Sequence, residues 1–559
     1  MKVRLQQLNP IIGDLSGNQA LILEALGDAG SAGVDLLILP EMCVTGYPAQ
    51  DLLEMESFRD LCYGVNNKII QNTAGTALLF GSITPNETGF GRKMYNSAIL
   101  ARNGEMLGVA HKTLLPTYDI FDDLRYFEPN REFKCIEYNG FKLGVTICED
   151  IWYNENEVQY HTYETDPALE LKKAGADVII NISASPFTGT KHENRVQMIQ
   201  NHAKKLNMPV LYSNQTGAHT DVVFDGDTQA IGSNGNVVVE TTAFFPSFAD
   251  LELKADGDCK SISNEPVNTY PVKGSPRYFA AIKRGLQDYI KKTGITEKVV
   301  LGLSGGIDSA LVCVLAAESL GPDRVTAITM PTEFSSSGSV TDSQKLAQNL
   351  GIELIEVSIQ PIFSSFREQL NPVFEDLPFG VAEENLQSRI RGSLLMTYAN
   401  KFGHFLLPTG NKSEYAVGYA TLYGDMNGAL AIIGDLYKTE VYELSRWLNS
   451  DYFKEEVIPE QILTKPPSAE LRPDQKDSDS LPEYEVLDDI LYHYIELQMS
   501  CSQIVELGHS EEVVRKITKL VDYNEFKRYQ AAPILKLNSK SFGTGRRWPI
   551  VQGWTNQDF

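Results

Sequence analysis

Short apolar runs punctuate the first 250 residues and alternate with stretches that read as amphipathic helix. The runs are "VRLQQLNP", "DLLILPEM", "TALLFGSI", "NSAILAR", "FKLGVTICED", "ADVIINISAS", "MPVLYSNQTG" and "QAIGSNGNVVVE". Their β-branched content and turn-rich borders predict strands. Many end on polar residues, where α/β folds place their chemistry. Residues 251–275, "KADGDCKSISNEPVNTYPVKGSP" and its flanks, are polar and carry Pro and Gly, which predicts a linker. An amphipathic helix, "RYFAAIKRGLQDYIKKTG", follows it. Strands then return at "KVVLGLSG", "RVTAITMP", "IELIEVSI" and "GHFLLPTGN", again separated by helices, as in a mostly parallel sheet. The pattern predicts two α/β domains, 1–250 and 276–559, with no internal repeat.

Composition adds limits to that picture. A chain of 559 residues is long enough for separate cores, and its 42% hydrophobic and 9% aromatic content is that of an ordinary globular protein. No uninterrupted apolar run reaches the roughly 18 residues of a membrane span. The opening, "MKVRLQQLNPIIGDL", reads as a strand rather than an export signal. The net charge of −24 argues against nucleic-acid binding. Seven dispersed cysteines, none in a C-x-x-C pair, predict neither a disulfide framework nor a zinc site and favour a cytoplasmic location.

The stretch "VVLGLSGGIDSALVCVLAAES" runs strand, small-residue turn, apolar helix, the layout of a phosphate-binding loop without the P-loop lysine. Ser304, Gly305, Gly306 and Ser309 offer close backbone amides, hydroxyls and a helix N-terminus. Asp308 would repel phosphate unless a divalent cation lay between them, which points to Mg2+. The string "SGGIDSA" resembles the SGG-x-DS motif of the ATP pyrophosphatase class, in which the loop holds the departing pyrophosphate of ATP. Further on, "TGNKSE", "YGD" and "DLYKT" extend the resemblance to the synthetase domain of NAD synthetases. That resemblance implies Asp308 and Glu414 as magnesium ligands, with Asp425 and Lys438 at the transfer centre. Ser468, in "PPSAEL", stands where the family often has threonine and adds a hydroxyl for the metal. Arg389 and Arg391, in "EENLQSRIRG", are contacts for an anionic substrate or else helix-surface arginines. Glu333 departs from the family, which commonly carries a basic residue there.

In the first half, "ILPEMCVTGYP", "HKTLLPTYDIFDD" and "GVTICEDIW" offer Glu41, Lys112 and Cys148. A lone cysteine after a strand is more often a small buried hydrophobe, but Cys148 is followed at once by Glu149 and Asp150. A base, a cation and a thiol suffice for amide hydrolysis through a thioester. The three strings, in this order, resemble the carbon–nitrogen hydrolase (nitrilase) superfamily, which implies a four-layer α-β-β-α sandwich over residues 1–250. The same resemblance implies a glutamine pocket lined by Tyr118 and Phe121, with contacts from Glu149 and Ser185. Lys191 falls where some relatives carry arginine.

Together the two resemblances match the glutamine-dependent NAD synthetase family. The family implies that glutamine is hydrolysed in the first domain and that its ammonia, carried through an internal tunnel, attacks an adenylylated deamido-NAD in the second. The products would be NAD, AMP, pyrophosphate and glutamate, with ATP as co-substrate. The alternative is another ATP-dependent amidotransferase with a different carboxylate acceptor; those of GMP and asparagine synthesis carry other glutaminase folds. The resemblance also implies a homo-oligomer, at least a dimer. Segment 464–484 reads as a mobile loop over a site. The basic tail residues Lys527, Arg528, Arg546 and Arg547 read as a solvated charge run, or else as contacts to substrate or a neighbouring subunit.

Overall fold

The run "VIINIS" at Val178–Ser183 is buried at all six positions. Val178, Ile180 and Ile182 lie on one face, and Ile179 lies on the other beside Asn181 and Ser183, which satisfy each other by a hydrogen bond at 2.7 Å. Both of its sides must therefore be covered. The same demand is met throughout the first unit of the computed structural model, which describes residues 1–153, 163–254, 258–262, 271, 273–375, 377–473 and 475–554. The chain divides into two units, Met1–Lys273 and Gly274–Phe559.

The first unit stacks two sheets. One has seven strands, ordered Cys259–Ser261, Ser247–Leu253, Lys2–Gln7, Leu36–Ile38, Ala77–Pro85, Met94–Arg102 and Glu105–His111. The other has six, ordered Val237–Glu240, Gln229–Ile231, Val210–Asn214, Val178–Ser183, Phe141–Ile147 and Ile136–Tyr138. Alternation along each strand divides its side chains between two cores. Val3, Leu5, Leu36, Ile38 and Leu79 face Val145, Ile147, Ile180 and Ile182 between the sheets. Leu37, Leu78 and Phe80 point the other way, onto Ile22 and Leu26 of helix Leu15–Ser31 and Ile69 of helix Glu56–Gln71. Ile179, Val210 and Tyr212 likewise meet Met198, Ile199 and Leu206 of helix Lys191–Leu206. The result is the expected α-β-β-α order of layers.

The segment expected to link the halves, 251–275, is in part sheet: Leu251–Leu253 pair with Cys259–Ser261 in the first sheet. The polar residues between them hid this closing hairpin from the pattern. Strand Glu105–His111 was also hidden, because much of it is exposed at the sheet edge.

The second unit holds a sheet ordered Glu353–Glu356, Val325–Thr329, Val299–Gly302 and Phe405–Leu406, with every pair parallel. All four strands coincide with the runs read from sequence. Ile390, Leu395 and Ala399 of helix Val381–Phe402 and Phe363 of helix Gln360–Phe374 pack on Val300, Ile328 and Leu406. Helix Ile307–Leu320 packs on the sheet and on helices Ser275–Thr293 and Lys438–Trp447. The last hundred residues add a helical cluster built on Leu487, Ile490, Ile517 and Val521. Among the described residues, no helix is long and apolar enough to cross a membrane.

Candidate active sites

Three residues of the first unit each leave the end of a strand. Glu41 follows Leu36–Ile38, Lys112 follows Glu105–His111, and Cys148 follows Phe141–Ile147 in the second sheet. Lys112 is 1% exposed, and its Nζ donates to Glu41 Oε1 at 2.8 Å and Asp123 Oδ2 at 2.6 Å. Burial alone would depress this ammonium, but the charges of Asp123 and Glu41 raise its pKa well above the ordinary lysine value. Glu41 is fully buried and is fixed from two further directions. Asn96 Nδ2 donates to Oε1 at 2.7 Å, and the Ala184 N–H donates to Oε2 at 2.8 Å. Asp123 also accepts from the Tyr47 hydroxyl at 3.0 Å.

Cys148 opens a short 3-10 turn, Cys148–Ile151, with φ at 46°. That left-handed value is strained for a residue with a side chain, and strain of this kind concentrates at functional sites. Burial pushes the thiol well up; the Glu41 charge adds to this and Lys112 offsets it in part. A thiol raised in this way is harder to ionise without a base, and the Glu41 carboxylate is near enough for its charge to act on it. Asp150 locks the turn by accepting from the Ile147, Thr113 and Leu114 N–H groups at 3.0, 2.9 and 2.8 Å. One side chain thus ties the cysteine turn to the residues that follow Lys112. Glu149 is buried, and accepts from the Tyr118 and Tyr163 hydroxyls at 3.0 Å. Phe121 packs edge-on against Tyr118, with ring centres 5.4 Å apart. Lys191 lies over the Trp152 ring, and its charge pulls the Cys148 thiol down. Ser185 is buried next to Ala184, its N–H held by Asn214 Oδ1 at 2.8 Å.

In the second unit, a cavity of about 200 Å3 opens over the loop Ser304–Ser309 at the N-terminus of helix Ile307–Leu320. The Ser304 and Ser309 hydroxyls lie 3.1 Å apart, and the Gly306 N–H donates to Ser304 Oγ at 3.3 Å. Gly305 has φ +78°, and a Cβ there would lie 2.4 Å from the Ser339 carbonyl oxygen. Only glycine lets the loop pass so close.

Asp308, Glu414, Lys438, Ser468 and Asp477 all line this cavity. Lys438 is 2% exposed; its Nζ donates to Asp308 Oδ2, and lies 3.3 Å from Glu414 Oε1. Asp308 also accepts from Asn411 Nδ2 at 2.8 Å. Burial and the Asp308 charge push Glu414 up to about 8. Ser468 Oγ donates to the Gln475 carbonyl at 2.6 Å and accepts from the Glu470 N–H at 3.1 Å, which leaves one lone pair to receive. Hard carboxylate and hydroxyl oxygens converging beside a phosphate loop suit Mg2+.

A second cavity of about 240 Å3 lies past the C-terminal ends of the parallel strands, lined by Leu303, Thr329, Met330, Leu395, Arg391 and Asp425 among others. Open parallel sheets place ligands there. Arg391 is anchored through Nε to the Met330 carbonyl at 3.1 Å, and burial lowers it to about 10. Asp425 lines both cavities and accepts from the Thr421 N–H at 2.8 Å and the Ser388 hydroxyl at 3.0 Å.

Comparison with known proteins places both halves. The carbon-nitrogen hydrolase family matches residues 2–254 and the NAD synthase family residues 278–531. The glutamine-dependent NAD(+) synthetase of Synechocystis sp. is 44% identical across 99% of this chain and 99% of its own length. The chain belongs to the glutamine-dependent NAD(+) synthetases. The enzyme of that name from Acinetobacter baylyi is 40% identical across 100% of this chain and 99% of its own. A solved structure of the Acinetobacter baumannii synthetase, in complex with adenosine diphosphate, is 36% identical with a TM-score of 0.77, covering 100% of this chain and 99% of that one.

Not every expected residue joins these sites. Arg389 hydrogen-bonds the Leu422 carbonyl at 3.2 Å and lines neither cavity, unlike Arg391. Glu333 is exposed and is bridged to Gln360, and it too lines neither cavity. Three of the tail's cations do not form a solvated run. Lys527 donates to the Gly418 and Ala420 carbonyls, Arg528 is buried on Glu525 and backbone carbonyls, and Arg546 pairs with Glu525 beneath Trp548. The ties of Lys527 and Arg528 to the 415–420 backbone, and of Arg546 to the Glu525 carboxylate, explain the difference. Segment 464–484 is pinned through Asp477, which accepts from Tyr419 at 3.1 Å and Tyr484 at 2.9 Å.

Some site members carried little signal. Asn96 is a buried polar residue in an apolar strand, a pattern that demands a partner. Asp123, inside "HKTLLPTYDIFDD", and Asp477, inside "DQKDSDS", are hidden among other acids.

Proposed function

We propose that the chain makes NAD from deamido-NAD and ATP, taking its nitrogen from glutamine. In the first unit, Glu41 accepts the Cys148 proton as sulfur attacks the glutamine amide carbon. The Lys112 ammonium stabilises the oxyanion of the tetrahedral intermediate. Ammonia leaves with a proton returned from Glu41, and Glu41 then activates water to release glutamate from the thioester. Glu149, held by two tyrosine hydroxyls, receives the glutamine α-ammonium; Phe121, Tyr118, Ser185 and Lys191 complete the pocket.

In the second unit, the cavity past the strand ends takes the adenosine of ATP. The amides and hydroxyls of Ser304–Ser309 take the pyrophosphate that leaves when the nicotinate carboxylate attacks the α-phosphorus. Asp308, Glu414 and Ser468 hold a magnesium ion, which neutralises phosphate charge when bound. Lys438 offsets charge developing at the transfer centre, Asp425 lies across it, and Arg391 takes an anionic substrate group. Ammonia then displaces AMP from the acyl-adenylate.

What supports the reading most is the Lys112 ammonium bridging Glu41 and Asp123 beside Cys148, on a chain that also carries the Ser304–Ser309 loop. The deciding assay supplies ATP, magnesium and deamido-NAD, with either glutamine or ammonium chloride. NAD and AMP are expected from both. NAD from ammonium alone would overturn the glutaminase roles, and none from either would overturn the acceptor.

A further inference from the structure

The phosphate loop has no lysine of its own, and the buried Lys438 is committed to Asp308 and Glu414. A second ammonium reaches the same cavity from elsewhere in the sequence. Lys465 follows the short helix Glu460–Thr464, where its N–H donates to the Gln461 carbonyl at 2.9 Å. Its Nζ donates to Ser339 Oγ at 2.6 Å and Glu470 Oε1 at 2.5 Å. Ser339 is the residue whose backbone presses on Gly305, so this ammonium stands at the edge of the loop. Both Lys465 and Glu470 line the cavity.

The surroundings of Glu470 Oε1 resemble those of a bound oxyanion. It accepts from the Lys465 ammonium, from Ser339 Oγ at 2.8 Å and from Ser336 Oγ at 3.1 Å. Its other oxygen accepts from the Ser336 N–H at 3.2 Å, at the N-terminus of the 14-residue helix Ser337–Leu350. An ammonium, two hydroxyls and a helix-end amide are the donors that phosphate oxygens take. The pair is also the more accessible of the two: the Lys465 side chain is 32% exposed and that of Glu470 18%. A pair that is only part-buried exchanges partners at smaller cost than an enclosed one.

We infer that Lys465 is the phosphate lysine of this site, supplied from outside the loop, and that Glu470 competes with nucleotide phosphate for its ammonium. This assignment rests on the reading of the Ser304–Ser309 loop as the pyrophosphate site. A direct test titrates the full chain calorimetrically with magnesium pyrophosphate, comparing wild type with Lys465→Ala, Lys465→Arg and Glu470→Gln. Losing a charge-assisted contact should weaken pyrophosphate about ten- to a hundredfold in Lys465→Ala, and Lys465→Arg should recover most of it. Glu470→Gln, which removes the competing charge, should bind pyrophosphate severalfold more tightly. Equal affinity in wild type and Lys465→Ala overturns the role of Lys465. Weaker binding in Glu470→Gln overturns the competition and makes the pair a structural tie. The titration needs no turnover, so it judges Lys465 separately from the overall reaction, which NAD formation by the wild-type chain judges.

Discussion

Beside Lys112, His111 shows how a single side chain carries a pH signature. Its ring stacks on Tyr95 with centres 4.1 Å apart, and its Nδ1 lies 2.8 Å from Ser97 Oγ. Burial lowers its pKa from 6.5 to about 4. Between those values the unfolded chain binds a proton that the folded chain refuses, so stability rises with pH there and is lost as pH falls from about 6.5 toward 4. Denaturant unfolding of wild type and His111→Asn should diverge across this window, with wild type losing about 3 kcal/mol more by its lower end. Parallel curves would mean that the ring charges freely in the fold. At this scale sequence reading singled out Cys148 as a thiol before two acids, and Glu41 and Lys112 only through the short strings that resemble a known family. It did not find Asp123 or Asn96, because what distinguishes them is a contact made across the fold, to Lys112 and to Glu41.

Elements were most legible where both faces are covered. The strands Val178–Ser183 and Val325–Thr329, rich in Val and Ile, are buried at every position. The edge strand Glu105–His111 and the strand Cys259–Ser261 are specified largely by backbone pairing, which leaves a weak mark on composition. The loop before helix Ile307–Leu320 belongs to the legible class for a backbone reason. Gly305 needs its positive φ and has no room for a Cβ against Ser339. Gly305→Ala should therefore push the loop off Ser339 and away from Lys465. The expected result is at least a tenfold rise in the KM for ATP with ammonium as nitrogen source, matching a local strain of about 1–3 kcal/mol. The KM for glutamine hydrolysis should stay unchanged. An unaltered KM for ATP would show that the loop tolerates the displacement, and that its amides do not set phosphate affinity.

For the whole molecule, two chemistries on one chain make a prediction that neither unit makes alone. The second reaction needs neutral ammonia, and ammonium ion has no lone pair to attack with. Glutamine hydrolysis releases ammonia from an uncharged amide, and if that ammonia reaches the second site before it meets solvent, its delivery does not depend on the acid–base state of ammonia in the medium. Cys148→Ala removes that supply while leaving every group of the second cavity in place. The variant should lose glutamine-driven NAD synthesis by at least about a thousandfold and keep synthesis from ammonium salts. At fixed total ammonium its rate should climb with pH, by up to about tenfold per unit while the protonated form predominates. Wild type supplied with glutamine should show a much flatter profile over the same range, since its nitrogen never has to be drawn from that equilibrium. Initial-rate measurements of NAD on both proteins from pH 6.5 to 8.5 decide the matter. Equally steep profiles would mean that ammonia from glutamine equilibrates with solvent before it is used. Surviving glutamine use in Cys148→Ala would remove the thiol from the mechanism.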